Sequence, residues 1–92
     1  MKYVLLGTLS TDWASKHKQR VGSATAMPEQ LGITLEAVYY TQGQFDFVDV
    51  VDAPDPADLP TFSVWYVSQG YGHIQSMPAF DDETLARAAS KV

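Results

Sequence analysis

Short apolar runs alternate with polar segments along the chain, and each run has the length of a β-strand or of one helix face. Residues 3–9 are apolar and strand-like, and residues 10–12 then offer side-chain oxygens suited to the start of a helix. The polar stretch up to residue 31 predicts a first helix that Gly22 and Pro28 interrupt. Gly32 is expected to close that helix.

A β-hairpin is predicted in the middle of the chain. Residues 33–42 and 44–51 are rich in β-branched and aromatic side chains, which favour strands. Gly43 lies between them and supplies the glycine that a tight reversal requires. These runs therefore predict strands two and three, joined by a short turn.

A second helix is predicted after the hairpin. Asp55 suits an N-cap and Pro56 suits the first helical position, although a start nearer Asp58 is the alternative because Pro60 removes a backbone donor. Gly70 is expected to end this helix.

The remaining residues predict one more strand and one more helix. Residues 73–80 form a fourth strand, bent or ended at Pro78. The acidic residues 81–83 then suit the positive end of a short terminal helix. Residues 1–92 thus predict one ferredoxin-like α+β domain of order β-α-β-β-α-β with a tail helix and a four-stranded antiparallel sheet.

The predicted sheet carries apolar side chains on both faces. In strand three, Phe45, Phe47 and Val51 point one way and residues 48 and 50 point the other. In strand two, Tyr39 and Leu35 are set against Tyr40 and Val38. Two helices cover one face only, so the second face needs another cover. A second copy of the chain is the simplest one, which predicts a homodimer or higher homo-oligomer with a barrel-like interior.

Composition excludes several classes of protein and site. The 92 residues hold one domain, and 46% of them are hydrophobic, as in a globular protein. No apolar run approaches the length of a membrane span, and the first residues lack a signal-peptide layout, so we expect no membrane association and a cytoplasmic location. The chain has no cysteine and two histidines without metal-ligand spacing. We therefore predict no metal site and no cofactor.

The charge of the chain argues against nucleic acid as a partner. The net charge is −5, and affinity for phosphate backbones depends on Lys and Arg. Lys16, Lys18 and Arg20 supply half of the six basic residues. We interpret this basic cluster as a solvated helix face, with an anion-docking patch as the alternative.

The hairpin sequence at residues 39–48, Tyr-Tyr-Thr-Gln-Gly-Gln-Phe-Asp-Phe-Val, resembles that of the GYD-domain family. Further matches lie at residues 11–12, 31–32, 53–55 and 72–80, so the resemblance covers nearly the whole chain. It implies a dimeric α+β barrel but brings no defined activity.

Two features of the chain depart from the family's pattern. Phe45 stands where the family usually has tyrosine, and the first helical segment looks shorter and less continuous than usual. Isomerases and monooxygenases, muconolactone isomerase among them, are distant relatives of the family by fold alone.

Two side chains are candidate general bases. Asp46 lies within an apolar strand, where a buried carboxylate needs a hydrogen-bond partner, a changed pKa or access to water. The structural alternative is that it accepts hydrogen bonds from backbone N–H groups near Gly43 or on a neighbouring strand. His73 has the ordinary imidazole pKa that suits proton transfer, although a strand-end or surface position is the plainer interpretation.

An aromatic pocket is the remaining hypothesis. Tyr40, Gly43, Trp65 and Tyr71 are candidate ligand contacts, with core and dimer packing as the alternative for the aromatic residues. We therefore predict a small dimeric module that binds an apolar or amphipathic molecule or serves as a partner subunit. The second hypothesis is a cofactor-independent isomerase or monooxygenase in which Asp46 or His73 acts as the base.

Overall fold

The computed structural model describes residues 1–92 and contains four strands and three helices. The sheet has the order β2-β3-β1-β4, and all neighbouring strands are antiparallel. This arrangement confirms the predicted ferredoxin-like α+β fold. The elements in chain order are β1 Lys2–Leu9, α1 Trp13–Gln30, β2 Thr34–Tyr40, β3 Phe47–Asp52, α2 Asp58–Ser68, β4 Gly72–Pro78 and α3 Asp82–Ser90.

The two later helices begin and end as local chemistry dictates. α2 starts at Asp58, the alternative start, and the Asp55 side chain instead accepts a hydrogen bond from the N–H of Ala57 at 3.0 Å. Gly70 follows α2 with a φ of 74°, as expected for a helix end. At α3 the side chain of Asp81 caps the helix by accepting from the N–H of Thr84 at 2.8 Å.

The prediction of an interrupted first helix was wrong. α1 runs unbroken for 18 residues, through both Gly22 and Pro28. Pro28 lies near the end of the helix, where it forfeits a single backbone bond, and its ring is fully buried. Its carbonyl accepts from the N–H groups of Leu31 and Ile33, which ties the helix end to the chain beyond it. Asp12 precedes the helix but makes no side-chain capping bond.

The hairpin is confirmed, but its turn is longer than predicted. β2 ends at Tyr40 and β3 begins at Phe47, so a loop of residues 41–46 joins them, and Phe45 belongs to this loop. The backbone N–H of Thr41 donates to the carbonyl of Asp46 at 2.8 Å and closes the loop. Gly43 lies at its exposed tip with a φ outside the positive range, so its special backbone freedom is not used there.

A bulge in β2 changes which side chains share a face. The register shifts between Leu35, opposite Val51, and Ala37, opposite Val50. The extra residue reverses the alternation from that point. Tyr40 therefore lies on the same face as Leu35, and Tyr39 lies on the opposite face, which corrects the predicted grouping of Leu35 with Tyr39.

The core lies between the sheet and helices α1 and α2. Leu5 and Val51 are completely buried on the helix-covered face and form a cluster with Leu59 and Phe62 of α2. Burial of each such side chain contributes about 1.5–3 kcal/mol. A second cluster contains Phe47, Tyr66 and Tyr71. These clusters fix α2 against the sheet.

The opposite face of the sheet is left uncovered, and we call it the open face. Its central residues are half-buried and apolar, and its edges carry exposed apolar residues. α3 buries none of its residues and makes no extensive contact with the sheet. The larger apolar residues of the open face are Val4, Leu6, Tyr39, Val48, Val50 and Met77.

None of the helices combines the length and apolarity needed to cross a bilayer.

Candidate ligand-binding site

A cavity of about 340 Å³ lies between the helix-covered face of the sheet and helices α1 and α2. Nine of its 12 lining residues are hydrophobic, and they come from both helices and from β2, β3 and β4. This volume is at the lower end of the range found for small-molecule sites. The apolar walls include Val21, Ala24, Leu35, Val38, Phe62 and Ile74.

Arg20 enters this cavity from α1 and is only 3% exposed. Its Nη2 atom donates to the hydroxyl of Tyr40 at 3.2 Å and lies 3.0 Å from Nδ1 of His17. The guanidinium carbon also lies 5.7 Å from the centre of the Tyr40 ring, at cation–π distance. The Nη1 atom is buried and has no hydrogen-bond partner. The guanidinium therefore offers an unused donor to the cavity.

Asp49 enters the same cavity from the middle of β3 and is 8% exposed. Its Oδ1 atom is buried without a hydrogen-bond partner, and it forms no ion pair with Arg20. Burial raises the pKa of the Asp49 carboxyl to about 6, and the positive charge of Arg20 opposes part of that rise. The carboxyl can therefore change its protonation state near neutral pH.

Tyr66 of α2 completes the polar groups of the cavity. Burial raises the pKa of its phenol to about 12, while Arg20 acts in the opposite direction. The phenol therefore stays protonated at physiological pH. Its ring packs on Phe47 at 6.0 Å and on Tyr71 at 5.5 Å between ring centres, which holds it in place.

Of the predicted ligand contacts, Tyr40 alone lines the cavity. Trp65 is half-buried and stacks on Phe62 with ring centres 5.8 Å apart. Tyr71 is 2% exposed within the second core cluster. Gly43 lies on the exposed hairpin loop with no atom within 4 Å of an added Cβ.

The two predicted bases lie outside the cavity and are not brought together in one pocket. Oδ2 of Asp46 accepts a hydrogen bond from the N–H of Leu9 at 2.7 Å, which ties the hairpin loop to the end of β1. Asp46 also lines a second hollow of about 680 Å³ that includes Trp13 and His17. His73 is exposed on β4, opposite Thr8, and lines neither hollow.

Of the polar residues of the cavity, Asp49 was not among the candidates drawn from the sequence, and Arg20 was considered only within the basic cluster of the first helix. A signal for Asp49 existed, because it lies between Phe47 and Val51 on the inward side of β3. A carboxylate at an inward position between buried apolar residues is a candidate for a site. The interpretation of Arg20 as part of a solvated face was wrong, since the helix turns it toward the sheet while Lys18 stays exposed.

No group of three or more histidine, aspartate or glutamate side chains is arranged to hold a metal ion.

The fold and cavity define a small ferredoxin-like α+β domain with a ligand-sized interior site. The family model of the GYD domain matches residues 3–89, so the chain belongs to the GYD domain family. This finding confirms the resemblance drawn from the hairpin sequence. No curated protein sequence matches the chain significantly.

Solved structures of similar fold share little sequence with the chain. The 5-chloro-2-hydroxyhydroquinone dehydrochlorinase (TftG) of Burkholderia phenoliruptrix AC1100, in complex with 2,5-dihydroxybenzoquinone, matches with a TM-score of 0.65 and 9% identity, over 91% of this chain and 98% of that one. FFRP-DM1 matches with a TM-score of 0.58 and 18% identity, over 86% and 97%. Hypothetical protein PHS023 of Pyrococcus horikoshii matches with a TM-score of 0.55 and 17% identity, over 88% and 92%. At these identities the similarity shows a shared fold.

Proposed function

We propose that this chain is a binding module for a small amphipathic molecule, which lies in the cavity between the sheet and helices α1 and α2. The observation that carries the proposal is the presence of two unpartnered, buried polar atoms in one apolar cavity, Nη1 of Arg20 and Oδ1 of Asp49. An apolar body fits the walls, and a polar group fits the two atoms.

The energetics of the two atoms support this proposal. A buried donor or acceptor without a partner costs about 1–3 kcal/mol, and more when the group is charged. Such groups are uncommon in folded proteins, and a partner supplied from outside the chain is one explanation for them. A bound molecule that pairs with Arg20 and Asp49 removes that cost. The unpaired atoms therefore lower the stability of the free chain and raise its affinity for such a molecule.

The size of the proposed ligand follows from the cavity. A volume of about 340 Å³ accommodates a single ring with a few substituents. The dehydrochlorinase of similar fold was solved with 2,5-dihydroxybenzoquinone, a molecule of this size. We propose a ligand of comparable size for this chain.

Arg20→Met is expected to abolish ligand retention, because the unbranched methionine side chain can replace the aliphatic part of arginine along the cavity wall but carries no hydrogen-bond donor. The measurement is native mass spectrometry of freshly purified protein, which reports a small-molecule adduct directly. Lys18→Met is the matched control, since Lys18 lies exposed on the same helix. An adduct retained by both variants, with unchanged melting temperatures, would contradict the assignment of the ligand to this cavity.

We also propose that the module is a homodimer that buries the open face of the sheet. The support is the apolar character of that face, which carries Tyr39 at 67% and Met77 at 43% exposure, together with its lack of any covering helix. Exposed apolar patches of this kind mark association surfaces. Two-fold homodimers are the commonest closed oligomers.

The variant Tyr39→Lys/Met77→Lys is expected to be monomeric, because it places four charges in the proposed dimer interface. Light scattering at micromolar concentration should give a mass near 10.1 kDa for this variant and near twice that value for the original chain. Val64→Lys is the control, since Val64 is 68% exposed on α2 and away from the open face. A monomeric original chain, or loss of the dimer in the control alone, would refute the proposed interface.

A further inference from the structure

We infer that the molecule bound in the cavity carries one neutral polar group with a hydrogen-bond acceptor beside a donor, of the primary amide kind, whose acceptor pairs with Nη1 of Arg20 and whose donor pairs with Oδ1 of Asp49. This inference rests on the proposed function and names the ligand class of the same site. It follows from four properties of the two side chains: hydrogen-bonding type, burial, separation and combined charge.

The arginine end of the site requires an acceptor. A guanidinium carries donors only, and its Nη2 is already engaged by Tyr40 and His17. Nη1 is buried without a partner, and Arg20 is 3% exposed, so bulk water does not serve it. A carbonyl oxygen of the ligand supplies the missing partner.

The aspartate end requires a donor when the carboxyl is ionised. An ionised carboxylate accepts hydrogen bonds only, and Oδ1 of Asp49 is buried without one. A ligand carboxylate would bring a second negative oxygen against it and would be repelled. An N–H or O–H group of the ligand supplies the partner instead.

The position of both side chains in one cavity, without direct contact between them, favours one ligand group that bridges them. Arg20 and Asp49 line the same cavity but form no ion pair within 4.0 Å, although their charges are opposite. Their combined charge is zero when Asp49 is ionised, so a neutral ligand leaves the pair balanced. A ligand of either charge would leave one buried charge uncompensated.

The preference of the site for a neutral ligand over a carboxylate should depend on pH through Asp49. Three other titratable or charged residues line the cavity with Asp49: Arg20 on α1, Tyr40 on β2 and Tyr66 on α2. His17 on α1 contacts Arg20. Neither β1 nor β4 adds a titratable or charged residue to the cavity lining. Protonation turns the Asp49 carboxyl into a donor, and the burial-raised pKa of about 6 puts that change in an accessible range. The protonated site then suits a ligand carboxylate, which accepts from both side chains.

The test compares benzamide with benzoate, which share a ring and differ in the polar group. Isothermal titration at pH 8 should show benzamide binding at least about ten-fold more tightly than benzoate, the factor expected for one hydrogen bond gained or lost at a buried charge. At pH 5 benzoate affinity should rise about ten-fold or more, while benzamide affinity should fall.

Two variants make the test specific to Asp49. Asp49→Asn keeps a neutral donor at every pH, so benzoate should bind it at pH 8 as tightly as it binds the original chain at pH 5. His17→Gln removes the other titrating ring beside Arg20 and should leave the reversal with pH unchanged. A reversal that disappears in His17→Gln and persists in Asp49→Asn would overturn the assignment to Asp49.

The remaining outcomes separate this inference from the proposed function. Two outcomes overturn the ligand class and leave the binding function in place. In the first, benzoate binds more tightly than benzamide at both pH values. In the second, neither probe binds at millimolar concentration, while native mass spectrometry shows an adduct that depends on Arg20. If neither probe binds and no adduct is found, both the ligand class and the binding function are overturned.

Discussion

Gly72→Ala is expected to lower the free energy of unfolding by at least about 3 kcal/mol, through backbone strain and steric overlap acting together. Gly72 has a φ of 141°, which side chains with a Cβ rarely adopt. An added Cβ would also overlap the backbone carbonyl of Thr8 on the neighbouring strand β1, which cannot move without breaking the β1–β4 pairing. At about 4–8 °C per kcal/mol, the melting temperature should fall by about 12 °C or more.

The control for this substitution is Gly43→Ala in the hairpin loop. Gly43 has no neighbour within 4 Å of an added Cβ and does not use a positive φ. Alanine there should leave stability unchanged or raise it by up to about 1 kcal/mol, since it restricts the unfolded chain. Thermal melts of the two variants under one condition make the comparison, and equal losses of stability would contradict the predicted role of Gly72.

Asp49→Asn is expected to stabilise the chain above pH 7 by about 2–3 kcal/mol. The pKa of the Asp49 carboxyl is about 6 in the folded chain and near its ordinary value when unfolded. Between these two values the folded state binds a proton that the unfolded state has released, so stability falls as the pH rises through this range. Asparagine cannot ionise and therefore avoids the loss.

The measurement is urea unfolding of both proteins between pH 4.5 and pH 8. The difference in stability between Asp49→Asn and the original chain should grow in favour of the variant up to about pH 6 and then stay constant. Asp12 and Asp81 have lowered pKa values, from hydrogen bonds to Ser10 and Thr84 respectively, and their effects cancel in the comparison because both proteins contain them. A difference independent of pH would show that Asp49 is not buried as described.

The order of the elements could be predicted because each strand and helix carries its own local signals. Gly32 and Gly70 mark helix ends with positive φ values, and Asp81 caps α3 through its side chain. The start of α2 at Asp58 was within the stated alternatives. Local chemistry thus specified the fold class and the approximate bounds of the elements.

Features that depend on pairing between distant segments could not be predicted in the same way. The bulge in β2 exists only relative to β3, and it decides that Tyr40 faces the cavity while Tyr39 does not. The unbroken course of α1 depends on the burial of Pro28 in the folded domain. Arg20 of α1 and Asp49 of β3 line the same cavity, and no spacing in the sequence indicates that they do.

The strand order also determines when this domain can fold. β1 is the first strand of the chain, yet it lies inside the sheet, and its partners β3 and β4 begin at Phe47 and Gly72. Loops of roughly 40 and 60 residues must therefore close before β1 gains a neighbour, and such long-range pairing slows folding toward the millisecond-to-second range. On the ribosome, the apolar segment of β1 emerges well before either strand that shields it, so the complete sheet can form only after β4 has emerged.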